Sequence, residues 1–133
     1  MLTHARVTAA IDERLRAELG LPGSWYEALV EIAFAGGTMR MNEFAEETTL
    51  TKSGATRFVD RLEAAGLVTR DTCPTDRRAF YLGLTEKGRQ VQRAADPHVL
   101  SVIDETFGNC LSDDQAVFIR DALNRARLDL AAI

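Results

Sequence analysis

Apolar residues recur at helical spacing through the first quarter of the chain. From Val7 to Leu19 an apolar residue stands at every fourth position with charged residues between, which predicts an amphipathic helix over residues 4–19. Gly20 ends this helix, and Pro22 suits the first turn of the next one. A second helix is predicted over residues 24–35, because one side of that segment is almost wholly apolar.

Two shorter helical segments follow, separated by a tight turn. The first covers Asn42–Thr48, with Asn42 itself or Met41 as its cap. The second covers residues 52–65 and follows Thr51, whose hydroxyl can accept a hydrogen bond from a free amide of the first turn. Gly66 then ends it.

The helix over residues 52–65 has two unlike faces. At about 100° per residue, its apolar positions share one arc: Ala55, Phe58, Val59, Leu62 and Ala65. The opposite arc is wholly polar: Lys52, Ser53, Thr56, Arg57, Asp60 and Arg61. The pattern predicts a helix that packs one face on a core and presents the other to a polar partner.

The rest of the chain predicts a hairpin and two more helices. Strand-like runs at Leu67–Thr72 and Arg78–Leu84 flank a tip that contains Pro and Asp. Thr85 then caps a long helix to about Gly108, in which Pro97 predicts a kink or break, because proline removes a backbone hydrogen bond and clashes with the preceding turn. The segment Ser112–Gln115 is a capping box that opens the last amphipathic helix.

Charge is distributed unevenly, and this changes what the net charge implies. The total is −4, whereas a DNA-binding protein usually carries a basic surface. Residues 51–89, however, hold eight Lys/Arg against five Asp/Glu, a net charge of +3, and the remainder carries −7. The chain is therefore acidic as a whole but contains one basic segment.

Composition excludes several classes. With 133 residues, 46% hydrophobic and 27% charged, the chain suits one ordinary domain. No apolar run approaches the roughly 18–20 residues of a membrane span, and the charged N-terminus lacks a signal sequence, so we expect a cytoplasmic protein with no membrane association. Cys73, Cys110, His4 and His98 have no zinc-site spacing, and no catalytic set or phosphate loop is present. We expect no enzyme activity, cofactor or metal.

Two short helices, a tight turn and a hairpin with adjacent arginines predict a winged helix-turn-helix. A recognition helix reads base edges through its N-terminal residues, its N-terminus attracts phosphate, and an arginine suits a narrow minor groove. The predicted DNA contacts are Thr51, Lys52, Ser53, Thr56, Arg57, Asp76, Arg77 and Arg78. Ion pairing of Arg57 or Arg61 with Asp60 is the alternative for those side chains.

Residues 41–89 resemble the MarR family, the multiple-antibiotic-resistance regulators. The likeness is carried by TKSGATRFVDRLEAAGLVTRD at 51–71, by Asp76-Arg77-Arg78 and by LTEKG at 84–88. It implies a triangular homodimer held by its terminal helices, with two winged lobes on pseudo-palindromic duplex DNA. It also implies that Asp76 positions the wing arginines by an ion pair and that Arg77 or Arg78 enters the minor groove.

The expected fold is mainly α with a small β-hairpin wing, in one domain over residues 1–133. Dimerisation helices are expected at about 1–35 and 98–133, and the winged helix-turn-helix lobe at about 38–90. The function predicted is a sequence-specific DNA-binding transcription regulator, in the form of a ligand-responsive repressor. The alternative is a winged-helix module that binds protein and not DNA.

Two further hypotheses concern regulation. The resemblance implies that Trp25, Tyr26 and His98 border a crevice for a small aromatic or lipophilic effector, although Trp25 as a plain core residue is the alternative. Some relatives sense oxidants through cysteine, usually in the first helix, where this chain has none. Neither cysteine has an evident activating neighbour in the sequence, so we expect both to be structural.

Overall fold

The computed structural model describes residues 2–48, 50–76, 78–108 and 110–131. Its elements, in chain order, are α1 (Leu2–Leu19), α2 (Gly23–Phe34), β1 (Thr38–Arg40), α3 (Met41–Glu47), α4 (Lys52–Ala64), β2 (Val68–Thr72), β3 (Phe80–Leu84), α5 (Glu86–Ile103), a π-helical turn (Asp104–Gly108) and α6 (Asp113–Ala131). Within these described ranges no helix has the length and apolar character to cross a membrane. The predicted mainly α fold with a small β wing is confirmed.

The three strands form one antiparallel sheet in the order β1-β3-β2. The predicted hairpin of β2 and β3 is present, with Val68 opposite Leu84 and Thr72 opposite Phe80. Strand β1 was not predicted, and it pairs with the other edge of β3, Thr38 opposite Gly83 and Arg40 opposite Tyr81. Because β1 leads directly into α3, its pairing with β3 connects the start of α3 to the wing.

The core of the winged lobe lies between α2, α3, α4 and the sheet. Its fully buried side chains include Phe44 of α3, Val59 and Leu62 of α4 and Leu82 of β3. The rings of Phe44 and Phe58 stack with their centroids 6.2 Å apart. The apolar arc predicted for the helix over 52–65 is therefore the face that packs, which leaves its polar arc in solvent.

A second, smaller core joins α1, α2 and α5. It consists of Leu15, Leu21, Ala95 and Val99. Trp25 packs against both cores, so α2 connects the winged lobe to the helical part of the chain.

Most element ends follow the local sequence signals. Thr51 caps α4 by accepting a hydrogen bond from the Gly54 amide at 3.1 Å. Gly66 ends the same helix at a φ of +73°, a conformation that glycine adopts without steric cost. The capping box before α6 is reciprocal, because the Ser112 amide donates to the Gln115 side chain and the Gln115 amide to the Ser112 hydroxyl.

Two local predictions differ from the structure. Helix α3 is capped by Arg40 and not by Met41 or Asn42. Of the kink or break predicted at Pro97, the break is wrong, because α5 runs without interruption from Glu86 to Ile103, and the kink stays a prediction. Ala95 and Val99 on either side of the proline are both buried in the second core, and this packing keeps the helix continuous despite the missing backbone bond.

Candidate nucleic-acid interface

The first two turns of α4 present a polar surface to solvent. Lys52, Ser53, Thr56 and Arg57 are all exposed, and Thr51 at the cap is exposed beside them. The Thr56 hydroxyl donates to the Lys52 carbonyl at 3.0 Å, which leaves its oxygen lone pairs free to accept. The five residues predicted for this helix are therefore all accessible to a partner.

The arginines of α4 have different surroundings. Arg57 makes no ion pair with any residue that the structure describes, so the alternative in which it pairs with Asp60 is not seen. Arg61 instead lies over the ring of Phe58, 5.5 Å from the centroid. Arg57 is thus the α4 arginine whose guanidinium is available to a partner.

Asp60 is paired with a residue that sequence reasoning did not single out. Its carboxylate accepts a 2.7 Å hydrogen bond from Arg70 of β2, and Glu63 lies 4.0 Å from the same guanidinium nitrogen. These contacts tie the recognition helix to the sheet. The sequence signal available for this contact was the pair of acidic residues one turn apart on α4.

The wing turn is organised by Asp76. Its carboxylate accepts a hydrogen bond from the backbone amide of Arg78 at 2.9 Å, and its carbonyl accepts one from Ala79 at 3.0 Å. The family resemblance implied an ion pair between Asp76 and the wing arginines. At Arg78, Asp76 instead accepts a hydrogen bond from the backbone amide. Arg77 lies outside the described residues, so its predicted role remains a prediction.

Helix α4 and the wing turn border one cleft. Lys52 and Thr56 of α4, Asp76 and Arg78 of the wing, and Arg40 at the end of β1 all line a cavity of about 380 Å³. The predicted DNA contacts that fall on described residues are all exposed, and four of them (Lys52, Thr56, Asp76 and Arg78) line this cleft. Arg40 was missed, because it precedes the basic segment in the sequence.

The cysteines and histidines belong to no cluster of metal-ligating side chains in the described part of the chain. Within the described ranges no group of three metal-ligating side chains occurs. Cys73 is buried at the start of the wing turn, where hydrogen bonds from the Thr75 side chain and amide lower the pKa of its thiol. Thr75 is therefore an activating neighbour of the Cys73 thiol, which the sequence did not indicate. Cys110 is exposed, and its thiol donates to the Thr106 carbonyl at 3.7 Å.

The three residues predicted for an effector crevice occupy different places. Trp25 lines a cavity of about 290 Å³ between the α1–α2 connection, the end of α4 and the start of α5. Tyr26 and His98 are half-buried and do not line it. The Tyr26 hydroxyl donates to Asp96 at 2.9 Å, and burial together with this carboxylate raises the pKa of the phenol.

Comparison with known proteins places this arrangement among transcription regulators. A sequence model of the MarR family matches residues 19–79, which include α3, α4, β2 and the turn after β2, and end just before β3. The regulator MhqR of Bacillus subtilis is 28% identical over 102 residues, a match that covers 77% of this chain and 70% of MhqR.

Solved structures extend the similarity over nearly the whole chain. AbsC, a MarR family transcriptional regulator from Streptomyces coelicolor, is 30% identical with a TM-score of 0.78, and the match covers 98% of this chain and 91% of AbsC. Sco3205, from the same organism and solved in complex with DNA, is 26% identical with a TM-score of 0.78, covering 93% of this chain and 78% of Sco3205. The similarity includes the helices outside the winged lobe.

Proposed function

Because the chain belongs to the MarR family of transcription regulators, we propose that it binds duplex DNA as a homodimer and represses transcription at the sites it occupies. One observation carries the DNA-binding assignment: the exposed polar face of α4 and the turn held by Asp76 border the same cleft. A recognition helix and a wing in this arrangement reach neighbouring grooves of one duplex. The similar protein Sco3205 has been solved with DNA, which supports this function over a protein-binding module and over an enzyme.

The DNA contacts divide into two groups. Arg57, with Ser53 and Thr56 beside it, enters the major groove, where a guanidinium can bond guanine O6 and N7. Lys52 neutralises a phosphate, and Thr51 orients the helix end toward the backbone. In the wing, Asp76 fixes the turn from which Arg77 and Arg78 approach the minor groove. Residues 38–90 therefore form the DNA-binding lobe in this proposal.

The proposal assigns residues 1–35 and 98–133 to dimerisation. Large apolar side chains in the C-terminal part remain solvent-exposed in the single chain: Leu100, Ile103, Phe107, Val117, Phe118 and Ile119. Phe118 is 67% exposed and Leu100 63%, and exposed apolar groups of this size mark interaction surfaces. A second copy that covers them gives a two-fold dimer, which acts where chromosomal DNA is, in the cytoplasm.

Selection of genomic fragments by the purified protein tests this function. We expect the selected fragments to share an inverted repeat with half-sites about 10 bp apart, because a two-fold protein presents two recognition helices one helical turn apart. Light scattering of the free protein should give twice the 14.7 kDa chain mass. Fragments without a shared motif, or a monomer that occupies a single asymmetric half-site, would contradict the proposal.

The cavity beside Trp25 favours an effector as the second part of the function. Its lining is largely apolar and includes Leu21 and Val91 besides Trp25, with Lys87 as the charged residue among them. It lies between the helical part and the winged lobe, so a small aromatic or lipophilic ligand there would alter how the two are joined. Trp25 is the single tryptophan, so its fluorescence reports occupancy directly. Alkylated phenols that change neither this fluorescence nor DNA affinity would count against such an effector.

A further inference from the structure

The cleft between α4 and the wing carries positive charge from three separate elements. Arg40 comes from the end of β1, Lys52 from the first turn of α4 and Arg78 from the wing, and the one carboxylate among the lining residues is Asp76. One oxygen of that carboxylate already accepts the Arg78 amide. In the described part of the chain, none of the three cations has a carboxylate at ion-pair distance.

Arg40 is held in place by Tyr81 and not by a salt bridge, although the Glu43 carboxylate, which accepts the Arg40 backbone amide at 3.1 Å, also acts on its charge. Its Nε donates to the Tyr81 hydroxyl at 3.2 Å, and its guanidinium carbon lies 5.6 Å from the centre of the Tyr81 ring. The antiparallel pairing of β1 with β3 sets these two residues opposite each other. A guanidinium has five N–H donors, so this contact fixes its plane and leaves the terminal amino groups available.

The position of the cleft indicates what enters it. The proposed function puts α4 in a major groove and the wing in the adjacent minor groove, and one sugar–phosphate strand separates two adjacent grooves of a duplex. That strand must cross between Lys52 on one side and Arg78 on the other. A cleft bordered by three cations at this crossing is complementary to a phosphodiester.

We propose that this cleft binds a backbone phosphate of the DNA, and that Arg40 donates charge-assisted hydrogen bonds to it. The inference rests on the proposed function, and adds to it a contact from outside the recognition helix and the wing tip. Tyr81 acts as a positioning residue for the guanidinium. A phosphate contact carries no base information, so Arg40 sets the register of the lobe on the duplex and contributes equally to all sequences.

The test compares Arg40→Ala with Arg93→Ala, a matched removal of one arginine from an exposed position on α5 outside the cleft. Affinity is measured against salt concentration on the selected site and on a scrambled duplex. For a dimer we expect Arg40→Ala to weaken binding about tenfold or more on both duplexes, since hydrogen bonds to charged groups are the stronger ones. The slope of log affinity against log salt should fall by about 0.9 for each phosphate that the variant no longer neutralises. Arg93→Ala should match the wild type.

Neutral methylphosphonate substitution identifies the phosphate. One substituted position in each half-site should weaken the wild type, and the same substitution should have little further effect on Arg40→Ala. If every substitution weakens both proteins alike, or if Arg40→Ala binds as Arg93→Ala does while Arg57→Ala and Arg78→Ala are impaired, the cleft proposal is wrong and DNA binding by α4 and the wing stands. A wild type that binds neither duplex would instead overturn the proposed function.

Discussion

Helices α4 and α5 begin with the same local motif but in different surroundings. In each, a threonine cap accepts the amide of a glycine three residues later: Thr51 from Gly54 at 3.1 Å and Thr85 from Gly88 at 2.9 Å. A Cβ added at Gly88 would overlap the Leu67 carbonyl oxygen and lie 2.9 Å from Leu84 Cδ1. At Gly54 the nearest atoms are the Thr51 hydroxyl oxygen at 3.0 Å and the Leu50 Cβ at 4.0 Å.

These distances predict unequal effects of the same substitution on the free energy of unfolding. Alanine is favoured over glycine inside a helix by up to about 1 kcal/mol, whereas forcing a methyl group into a packed site costs roughly 1–3 kcal/mol or more. The obstacle at Gly88 is backbone, which no rotamer change can move, so Gly88→Ala should lower the free energy of unfolding by about 1–3 kcal/mol. Gly54→Ala should change it by less than about 1 kcal/mol.

Urea unfolding followed by circular dichroism measures both values. Protein concentration is held constant, because the apparent stability of a dimer depends on it. Equal stability of the two variants, or a Gly88→Ala protein more stable than the wild type, would refute the reasoning that the glycine of LTEKG permits close approach of α5 to the end of α4.

Two further predictions concern single side chains. Cys73→Ser and Cys110→Ser should each leave DNA affinity and its response to mild peroxide unchanged; although hydrogen bonds lower the Cys73 pKa, the side chain is only 7% exposed to an oxidant. A peroxide-dependent loss of binding that one substitution abolishes would show a redox sensor. Burial and Asp96 raise the Tyr26 pKa above its ordinary value of 10.0, so the neutral phenol stabilises the fold below about pH 10, and this contribution is lost as the pH rises beyond that value. Between about pH 9 and 11, roughly the window around the pKa of an unfolded tyrosine, the free energy of unfolding of Tyr26→Phe should therefore fall less than that of the wild type. Equal pH dependence of the two proteins would contradict a raised Tyr26 pKa in the folded state.

The sequence was sufficient wherever a local signal and the tertiary packing agree. The apolar arc of α4 is the buried face, Thr51 caps the helix, Gly66 ends it, and the capping box at Ser112–Gln115 forms as its residue types require. Each of these features depends on residues within a single element or its immediate flanks. They are therefore visible in a single sequence.

The features that the sequence did not predict depend on contacts between residues far apart in the chain. Strand β1 has three residues and no alternation to reveal it, since its existence depends on pairing with β3 more than forty positions later. Pro97 carries a strong local signal, but packing of Ala95 and Val99 prevails over it. Arg40 and Arg70 acquire their surroundings from Tyr81 and Asp60; the acidic residues of α4 are visible in the sequence, but which arginine faces them is decided by the tertiary fold.

The most direct test of the central claim is DNA affinity as a function of salt for the wild type, Arg57→Ala and Arg78→Ala, on the selected site and on a scrambled duplex. Arg57→Ala should lose ~1–3 kcal/mol on the selected site alone and relax preference at one base position per half-site. Arg78→Ala should weaken binding to both duplexes and lower the salt slope by about 0.9 for each phosphate left without its arginine. If both variants bind both duplexes with wild-type affinity and slope, neither α4 nor the wing contacts DNA, and the account is wrong.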